Sequence, residues 1–443
     1  MTKTNTVYRA AIVAALGGFL FGFDTAVISG VEKSIQQLWI LDDFKHGFTI
    51  ASALIGTVIG SLIAGIPSEK YGRKKVLEGI GLLYLLTSIV TALTSSWEIF
   101  VMFRFLGGIG VGASSVVGPM YISEISPAAS RGRLVGLFQF NIVCGILIAF
   151  VSNYLLFGVS EESWRWMLGV QAFPSLIFFV MVFFVPESPR WLISKNKSAE
   201  AEKVFTEVGD PHPKETIRTI EESFRSEVGM KSENVFNGNY NKPIMFAVML
   251  AMFNQLSGIN AIMYYAPRIF EMTGLTKDTA LLQAISIGAT NMIFTLLAIS
   301  IIDKVGRKKL LIIGSIGMVV SLGLVAHAFY TQDFGGYGVM LCLVSFIAFF
   351  AFSQGAVIWV FISEIFPNKV RSAGQTLGSS THWVMAAIIS WTFPIIASME
   401  DGGFYSFLFF TVMMLTQGFF VWKVLPETKG KSLEGIQQSL GIH

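Results

Sequence analysis

Twelve long apolar runs constrain the fold of this 443-residue chain more than any other feature. Each run is close to the roughly 20 residues that a helix needs to cross the hydrocarbon core of a bilayer. Only 14% of the residues are charged, whereas soluble domains carry about 25%. The sequence therefore predicts an all-α membrane protein with twelve transmembrane helices. The predicted spans are 8–30, 48–67, 76–94, 98–119, 134–157, 166–185, 243–267, 279–302, 309–330, 337–362, 373–398 and 403–424.

A polar stretch at 187–242 separates the sixth run from the seventh. Apolar positions such as Ile217, Ile220 and Phe224 recur there at helical spacing, which predicts short amphipathic helices outside the bilayer. These features divide the chain into four parts. We expect a first six-helix half at 1–185, a helical linker at 186–242, a second six-helix half at 243–425 and a tail at 426–443.

The cationic side chains are distributed unevenly between alternate loops. With the N-terminus placed in the cytoplasm, the loops on that side hold most of them, including the two “GRKK” motifs at 72–75 and 306–309. The loops on the other side hold only Lys33, Lys45, Arg165, Arg268 and Lys277. The positive-inside rule then places both termini and the linker in the cytoplasm. The single glycosylation sequon, at Asn196, falls in the linker, which favours a bacterial plasma (inner) membrane.

Three motifs occur twice, with the same predicted sidedness in both copies. The pairs are “SEKYGRKKVL” (68–77) with “IDKVGRKKLL” (302–311), “YISEISPAASRGR” (121–133) with “FISEIFPNKVRSAG” (361–374) and, more weakly, “PESPRWL” (186–192) with “PETKGKSL” (426–433). The offsets between the copies are nearly constant, at 234 and 240 residues. Two homologous halves related by an axis along the membrane normal predict a transporter with its substrate site near the midplane.

This ordered set of motifs, together with “NQLSGINAIMYYAP” at 254–267, resembles the sugar porter family of the major facilitator superfamily over essentially the whole chain. The resemblance implies two pseudo-symmetric six-helix halves and a rocker-switch carrier for a monosaccharide, either a hexose or a pentose. Some members of the family are proton symporters and others are passive facilitators. The resemblance also implies a functional monomer in the lipid bilayer, with the proton as coupling ion, no cofactor, no metal and no nucleic-acid partner.

The resemblance implies that the sugar contacts of the family correspond to polar and aromatic residues of this chain. Amide side chains suit a sugar because they both donate and accept hydrogen bonds. Two positions depart from the family pattern, since Asn254 replaces a glutamine and His382 replaces a glutamine or an asparagine. His382 is therefore either a sugar contact, a second pH-sensitive group or a neutral core histidine. The implied sugar contacts are Phe21, Gln139, Asn254, Gln255, Asn260, Tyr264, Asn291, Gly355, Trp359, His382 and Trp383.

The seventh run supports a binding site by its own residue pattern. Asn260 and Tyr264 are four residues apart and share a helix face, whereas Gln255 and Tyr264 would point to opposite sides of a straight helix. Ser257 and Gly258 lie between them, where we expect a break or a kink. An interrupted helix that lines a cavity is typical of a midplane site. The alternative is that these amides only join neighbouring helices through hydrogen bonds.

Acidic and basic residues recur at matched positions on the predicted cytoplasmic side of both halves. The resemblance implies that they form interhelical salt bridges, which hold the outward-facing state and break when the inside opens. The alternative is that the charges only set the topology, although acids paired with the cations at matched positions favour the salt bridges. The residues of this predicted latch are Glu69, Arg73, Glu124, Arg131, Glu187, Arg190, Asp303, Arg307, Glu364, Arg371 and Glu427.

Asp24 lies in the apolar stretch “FGFDTAVISG” of the first run. A charged residue at the bilayer centre costs about 2.5 to 17 kcal/mol, depending on the method, so Asp24 is expected to have a partner in the interior. Arg104, among the glycines of “VMFRFLGGIGVGASS”, is the residue of opposite charge in a first-half run. We expect the two to pair, and the resemblance makes Asp24 the proton-coupling site, because facilitators carry a neutral residue there. A static buried salt bridge is the alternative.

The main prediction is a proton-coupled symporter of a monosaccharide, and a passive facilitator is the second hypothesis. A transporter-like sugar sensor is the third, and a sensor is expected to have long cytoplasmic extensions, which a tail ending at His443 disfavours. An enzyme or an ATP-driven pump is also disfavoured, because “GRKK” is no phosphate loop and the pattern G-x-x-x-x-G-K-[ST] does not occur.

Overall fold

The structure is a computed structural model of the chain, and residues 4–127, 130–228, 234–367 and 369–430 are described. All regular elements within these ranges are helices. Up to the end of the linker they are α1 (Thr4–Leu38), α2 (Asp43–Ile63), α3 (Gly65–Tyr71), α4 (Arg73–Leu93), α5 (Trp97–Ile125), α6 (Arg131–Leu156), α7 (Ser163–Gly169), α8 (Ala172–Val182), α9 (Pro189–Ser194), α10 (Ser198–Glu207) and α11 (Pro213–Val228). After the linker they are α12 (Asn241–Leu256), α13 (Ile259–Glu271), α14 (Lys277–Val305), α15 (Arg307–Thr331), α16 (Gly338–Phe352), α17 (Gln354–Ile365), α18 (Arg371–Ala397) and α19 (Gly402–Lys423). Of the predicted tail, residues 431–443 lie outside the described ranges.

Twelve segments of the described chain are long and apolar enough to cross a membrane, and each overlaps one of the predicted spans. Three of them consist of two consecutive helices, namely α7 with α8, α12 with α13, and α16 with α17. The first span extends over Thr6–Leu38 and is longer than the predicted 8–30. In the part of the helix beyond the apolar run, Glu32 is buried and forms an ion pair with Arg268.

The seventh span is interrupted at the predicted position. Gly258 separates α12 from α13 with a φ of 83°, in the left-handed region that glycine adopts at little cost. A Cβ atom at this position would lie 2.4 Å from Cδ2 of Phe410, so a larger residue would also clash. The span has a second break at Tyr265, two residues before Pro267, where the backbone is not helical. The seventh span therefore consists of two helices, and the second of them contains a further break.

The predicted amphipathic helices of the linker are α9, α10 and α11. Ile217 of α11 is buried, and Ile220 and Phe224 pack against the same hydrophobic cluster. Leu192 of α9 and Phe205 of α10 belong to this cluster, together with buried residues of α4, α5 and α6. The described part of the linker is therefore attached to the preceding spans by an apolar face, as the sequence spacing predicted.

Packing divides the described residues into two compact units. The first unit comprises the described parts of Met1–Thr25, Ile55–Ala149 and Gly158–Lys231. Its core is rich in buried aromatic side chains from α4, α5, α6 and α8. These are Tyr84, Tyr121, Phe138 and Phe178.

The second unit comprises the described parts of Ala26–Leu54, Phe150–Phe157 and Ser232–His443. The C-terminal ends of α1 and α6 and the first half of α2 therefore pack with the last six spans. Buried aromatic residues such as Phe246, Phe361 and Phe366 form part of its core. These units follow packing, whereas the predicted halves follow the sequence repeat, so the boundaries of the halves stay a prediction.

Candidate functional site

Gln255 is the centre of a buried polar group at the C-terminal end of α12. Its amide nitrogen lies 3.0 Å from Oδ1 of Asn254 and 3.1 Å from Nε2 of His382 on α18. Because the amide nitrogen is a donor, His382 presents an unprotonated ring nitrogen to it. The carbonyl oxygen Oε1 of Gln255 is buried and has no hydrogen-bond partner among the described residues. An unpaired buried acceptor costs about 1–3 kcal/mol, so this oxygen is a candidate acceptor for a ligand hydroxyl.

His382 lies beside two indole rings. The centroid of its ring is 4.9 Å from that of Trp359 and 4.9 Å from that of Trp383. Trp359 of α17 is 39% exposed, whereas Trp383 and His382 are buried. Gly355 lies one helical turn before Trp359 on the same face of α17, and a Cβ atom there would lie 3.4 Å from Cε1 of Phe350. The group therefore combines an accessible aromatic face with buried hydrogen-bonding side chains, which suits a ligand that has both an apolar face and hydroxyl groups.

The remaining predicted sugar contacts are distributed over both units. Tyr264 and Asn291 are buried and Asn260 is half-buried, and all three lie in the second unit. Phe21 of α1 and Gln139 of α6 are half-buried and lie in the first unit. Most of the predicted set is therefore found in the second unit, around the interrupted seventh span.

The predicted Asp24–Arg104 pair forms inside the first unit. Nη1 of Arg104, on α5, donates to Oδ1 of Asp24, on α1, at 2.7 Å, and both side chains are buried. Nε and Nη2 of Arg104 are buried too and have no hydrogen-bond partner among the described residues. A single hydrogen bond therefore compensates this guanidinium within the described part of the chain. Tyr84, a buried residue of α4 that the sequence analysis did not single out, lies within electrostatic range of Asp24.

A cluster around Arg73 lies at the N-terminus of α4 in the first unit. Nε and Nη2 of Arg73 donate to the two carboxylate oxygens of Glu124, on α5, at 2.8 and 2.9 Å, and Oγ of Ser188 donates to the same carboxylate at 2.6 Å. The carboxylate of Glu187 accepts the backbone N–H groups of Arg73 and Lys74 at 3.0 and 3.1 Å. A helix N-terminus favours such an anion. Burial raises the pKa of the Glu187 carboxyl, and the backbone N–H groups offset part of this effect.

The second unit repeats this arrangement around Arg307, at the N-terminus of α15. Nη2 of Arg307 donates to Glu364 at 2.7 Å, and its backbone N–H donates to Glu427 at 3.0 Å. The hydroxyl of Thr428 donates to Glu364 at 2.7 Å, as Ser188 does to its acid in the first unit. Asp303 adds an ion pair to Nη1 at 2.9 Å. Each cluster thus joins helices of its own unit.

The glycine of each “GRKK” motif has a geometric role in these clusters. Gly72 and Gly306 have φ angles of 98° and 103°, which favour glycine. A Cβ atom would lie 2.1 Å from Oε2 of Glu187 at the first position and 2.8 Å from Oε2 of Glu427 at the second. The motif is therefore a helix start that binds a carboxylate, and this explains why it recurs together with “PES” and “PET”.

Comparison with known proteins identifies the family. The family described as sugar (and other) transporter matches residues 10–440 of the chain. The chain belongs to this sugar transporter family. The predicted membership in the sugar porters of the major facilitator superfamily is confirmed, and so is the all-helical fold with twelve membrane spans.

Several relatives of this sugar transporter match it along almost its full length. It is 36% identical over 475 residues to the D-xylose-proton symporter of Escherichia coli (strain K12), which covers 98% of this chain and 96% of the relative. It is 37% identical over 440 residues to the arabinose-proton symporter of Bacillus subtilis (strain 168), which covers 98% and 94%. The glucose facilitated diffusion protein of Zymomonas mobilis is 33% identical over 470 residues, covering 99% and 98%. An inward open conformation of the xylose transporter XylE from E. coli superposes with a TM-score of 0.87 at 34% identity, covering 98% and 99%.

Two arginines of the predicted latch do not join the acidic residues in the structure of this sugar transporter. Arg131 is exposed and forms no ion pair with any described residue. Nε of Arg371 donates to the backbone oxygen of Phe366 at 3.4 Å, and its Nη2 is buried without a partner in the described part of the chain. The role of these two residues in the latch stays a prediction.

Glu69 and Arg190, two further members of the predicted latch, contact residues of the linker. The backbone oxygen of Glu69 accepts the indole N–H of Trp191 at 2.9 Å, while its side chain is exposed. The guanidinium of Arg190 lies 5.5 Å from the ring centroid of Phe224. Glu69 therefore takes part in attaching the linker to the spans of the first unit, whereas the contact of Arg190 joins two helices of the linker, α9 and α11.

A third charged cluster was not predicted from the sequence. Glu32 of α1, His46 of α2 and Arg268 of α13 meet in the second unit, and we call them the Glu32 cluster. Nε2 of His46 lies 2.7 Å from Oε2 of Glu32, and Nε of Arg268 donates to Oε1 of Glu32 at 2.9 Å. In the sequence these residues lie near the ends of three separate apolar runs. Only the position of Arg268 among the few cations of the predicted outer loops distinguished any of them.

Proposed function

We propose that this sugar transporter carries a monosaccharide, a hexose or a pentose, together with a proton by alternating access. The observation that carries the proposal is the buried Asp24–Arg104 pair, in which one hydrogen bond of 2.7 Å joins the two charges. Relatives named as proton symporters for xylose and arabinose support the same coupling and the same class of substrate. Asp24 is the proposed proton acceptor and Arg104 is its partner.

The proton step follows from how sparsely Arg104 is paired. Ionised Asp24 compensates the guanidinium, whereas protonated Asp24 leaves it without a counter-charge in the described part of the chain. Removing one partner of a buried ion pair costs about 3–5 kcal/mol. This corresponds to a change of roughly two to three and a half orders of magnitude in an equilibrium constant. Protonation can therefore shift the population between the two faces of the carrier, provided that Arg104 finds new partners in one of them.

The proposed sugar contacts centre on Gln255. Its free carbonyl oxygen can accept a hydrogen bond from a sugar hydroxyl, and its amide nitrogen contacts Oδ1 of Asn254 and the ring of His382. The exposed face of Trp359 offers a surface for the C–H face of a pyranose ring. Neutral groups of this kind suit an uncharged, hydroxyl-rich substrate, because no ionic charge has to be compensated on binding.

The orientation follows from the distribution of cations. We propose that the chain lies in a plasma (inner) membrane with both termini and the linker in the cytoplasm, because the “GRKK” motifs and the arginines of the linker then face inside. We also propose that the protein functions as a monomer, requires no cofactor and uses the proton as its coupling ion.

Transport by the purified protein in liposomes tests this function. An imposed pH gradient, acidic on the sugar side, should drive labelled sugar above its equilibrium distribution, and a protonophore should abolish the accumulation. Competition by unlabelled glucose, xylose and arabinose then identifies the substrate class. Uptake that is equal with and without the gradient would refute proton coupling.

A passive facilitator is the second candidate, because the 33% identical relative from Zymomonas mobilis is named for facilitated diffusion. A facilitator would show counterflow of labelled sugar but no accumulation above equilibrium in any pH gradient. A sugar sensor would bind sugar and show neither counterflow nor accumulation. The same liposome preparation therefore distinguishes the three hypotheses.

A further inference from the structure

The Glu32 cluster is buried, although its residues come from three different spans. Glu32 is 1% exposed and His46 is fully buried. Besides the contacts already described, Nη2 of Arg268 lies 2.7 Å from Oε2 of Glu32 and also donates to Gln36 of α1. Both carboxylate oxygens of Glu32 are therefore occupied by the arginine, and one of them is shared with the histidine. By the proposed topology the cluster lies at the outer ends of spans one, two and seven.

The contact with Glu32 fixes the tautomer of His46. An ionised carboxylate only accepts hydrogen bonds, so Nε2 of His46 carries the hydrogen that points at Glu32. In the neutral ring Nδ1 is then the unprotonated nitrogen. Nδ1 is buried and has no hydrogen-bond partner among the described residues. Nδ1 is thus a buried basic nitrogen that accepts no hydrogen bond from the described part of the chain.

Adding a proton to Nδ1 would change the balance of the cluster. With neutral His46, the charges of Glu32 and Arg268 cancel, whereas a protonated ring leaves a net positive charge. The second cation is close, since Nη2 of Arg268 lies 3.5 Å from Nε2 of His46. The new N–H group would also be buried without an acceptor, and burying an unpaired charged donor is unfavourable. Protonation therefore favours any arrangement in which the ring reaches water and moves away from the guanidinium.

The surrounding charged and titratable groups do not cancel this effect. Lys33 of α1 is paired with Glu271 of α13, so the two charges compensate each other. Asp43, in the first turn of α2, accepts a hydrogen bond from Gln36 at 3.1 Å and interacts electrostatically with Arg268. Tyr265 is neutral: its ring centroid is 6.2 Å from that of His46, and its hydroxyl donates to the backbone oxygen of Ser390 at 2.8 Å. Lys277 is already bonded, because it donates to Ser34 at 3.0 Å.

The cluster is part of a larger set of contacts in the second unit. Rings of Phe44 and Phe48, on α2, lie 5.2 and 5.1 Å from the indole of Trp391, on α18, and the indole N–H donates to the backbone oxygen of Phe44 at 3.1 Å. These contacts are apolar or involve uncharged groups, so they do not respond to protons. Among the groups of α2 in these contacts, His46 is the one whose type of side chain ordinarily changes its charge between pH 5 and pH 8.

We propose that His46 is a second proton-binding site, separate from Asp24, and that its protonation by the outer solution releases spans one, two and seven from one another. The ligand of the site is the proton itself, and Glu32 and Arg268 are positioning residues that hold the ring. The site goes beyond the proposed coupling through Asp24, and both tests below are independent of sugar and of transport.

The first test observes the ring directly. Full-length protein with nitrogen-15 in its histidine side chains is placed in lipid nanodiscs, and the signal of His46 is assigned by its loss in His46→Gln. At about pH 8 the chemical shifts should show a neutral ring with the hydrogen on Nε2, and between about pH 8 and pH 5 the ring should gain a proton at Nδ1. A ring that stays neutral at pH 5 would overturn the proposal.

The second test measures the movement of the helices. Spin labels are attached at Gln37→Cys near the end of α1 and at Thr276→Cys in the short connection that follows span seven, two exposed positions, after replacement of Cys144 and Cys342. The background carries Asp24→Asn so that this residue cannot titrate. Acidification from pH 8 to pH 5 should raise the ratio of separated to close label pairs about tenfold, the change that a tenfold difference in proton affinity between two forms produces.

Two variants and one control determine whether His46 is responsible. His46→Gln should abolish the pH response, because the amide can still donate to Glu32 and cannot take up a proton in this range. His327→Gln, at an exposed position of α15, should leave the response intact. Glu32→Gln should separate the labels at every pH, because Arg268 then loses its counter-charge. A full pH response in His46→Gln, or no response in the protein that retains His46, would refute the proposal.

Discussion

The Asp24–Arg104 pair and the Arg73 cluster are both ion pairs between neighbouring helices of the first unit, but they differ in how completely the arginine is bonded. Arg104 has one hydrogen bond to its acid and two buried nitrogens without partners in the described residues. Arg73 donates twice to Glu124 and once, through Nη1, to the backbone oxygen of Ser68. The guanidinium of Arg104 is thus underpaired, with one bonded nitrogen, whereas that of Arg73, at the start of α4, is saturated in the sense that each of its three nitrogens is bonded.

This difference indicates different roles for the two regions. A saturated, bidentate pair has one favoured geometry, which suits a contact that holds helices of one unit together. An underpaired guanidinium depends on a single proton-accepting group, so its surroundings change when that group is neutralised. Gln255, whose buried Oε1 is also unpaired, resembles Arg104 in this respect. Unsatisfied buried groups are therefore present at the proposed proton and sugar positions, whereas the Arg73 guanidinium at the start of α4 has a partner at each nitrogen.

The largest expected effect is that of neutralising the underpaired site. In Asp24→Asn, gradient-driven accumulation of sugar should fall to the equilibrium level, because no proton can be taken up at this position, while sugar exchange should persist. Transport assays in liposomes with and without a pH gradient measure both quantities. Asp278→Asn, which removes an exposed acid from the first turn of α14, is the matched control and should still accumulate sugar. If accumulation survives in Asp24→Asn, His382 becomes the next candidate for the coupling group.

The saturated cluster should affect stability instead of coupling. Arg73→Ala leaves Glu124 without its bidentate partner, and we expect a loss of about 1–3 kcal/mol in the free energy of unfolding, because the pair is partly buried and Glu124 keeps its bond from Ser188. Chemical denaturation of the protein in detergent measures this loss. Lys75→Ala, which removes an exposed cation of the same motif, should change it by no more than about 0.5 kcal/mol. An equally small effect of Arg73→Ala would show that saturation of the pair does not stabilise the first unit.

Gln255 tests whether the second underpaired group binds sugar. Gln255→Ala should raise the Kd for the transported sugar by roughly 10- to 100-fold, which corresponds to the loss of hydrogen bonds worth about 1–3 kcal/mol. The midpoint of unfolding should also fall, because the amide nitrogen loses its contacts with Asn254 and His382, so affinities are compared at a temperature at which both proteins are folded. Isothermal titration calorimetry gives the affinity, and Gln37→Ala at an exposed position of α1 serves as control. Unchanged affinity in Gln255→Ala would remove this residue from the proposed site.

The smallest expected effect is a difference in stability between variants of the Arg73 cluster and of the corresponding cluster around Arg307. Arg73 is bidentate toward Glu124, whereas Arg307 reaches Glu364 through Nη2 and leaves Nε buried without a partner among the described residues. Lysine cannot reproduce a bidentate contact. Arg73→Lys should therefore cost about 1 kcal/mol more than Arg307→Lys in the free energy of unfolding, the value of one further hydrogen bond. Equal costs in parallel denaturation curves would show that the two repeats are equivalent despite their different geometry.

Much of the fold was predictable because its causes are local in the sequence, and the Asp24–Arg104 pair was predictable because the first-half runs offered one partner of opposite charge. A run of about 20 apolar residues predicts a span by its length alone. The break at Gly258 was expected from a glycine between polar residues of the seventh run, and it is observed there. Asp24 required a partner because a lone charge in an apolar run is costly, and Arg104 was the opposite charge available in the first-half runs.

Tertiary structure alone decided the features in which several distant positions are equally suitable partners. The sequence offers no reason for Glu32 to meet His46 and Arg268, since each of these three charges lies near the end of a different run, where water is an alternative partner. The sequence also left open whether His382 is a sugar contact, a second pH-sensitive group or a neutral core histidine. The structure places its ring against Gln255 and beside two tryptophans. Hydrophobic length is a property of one segment and is visible in the chain, whereas charge pairing depends on distances between segments and is fixed only when they pack.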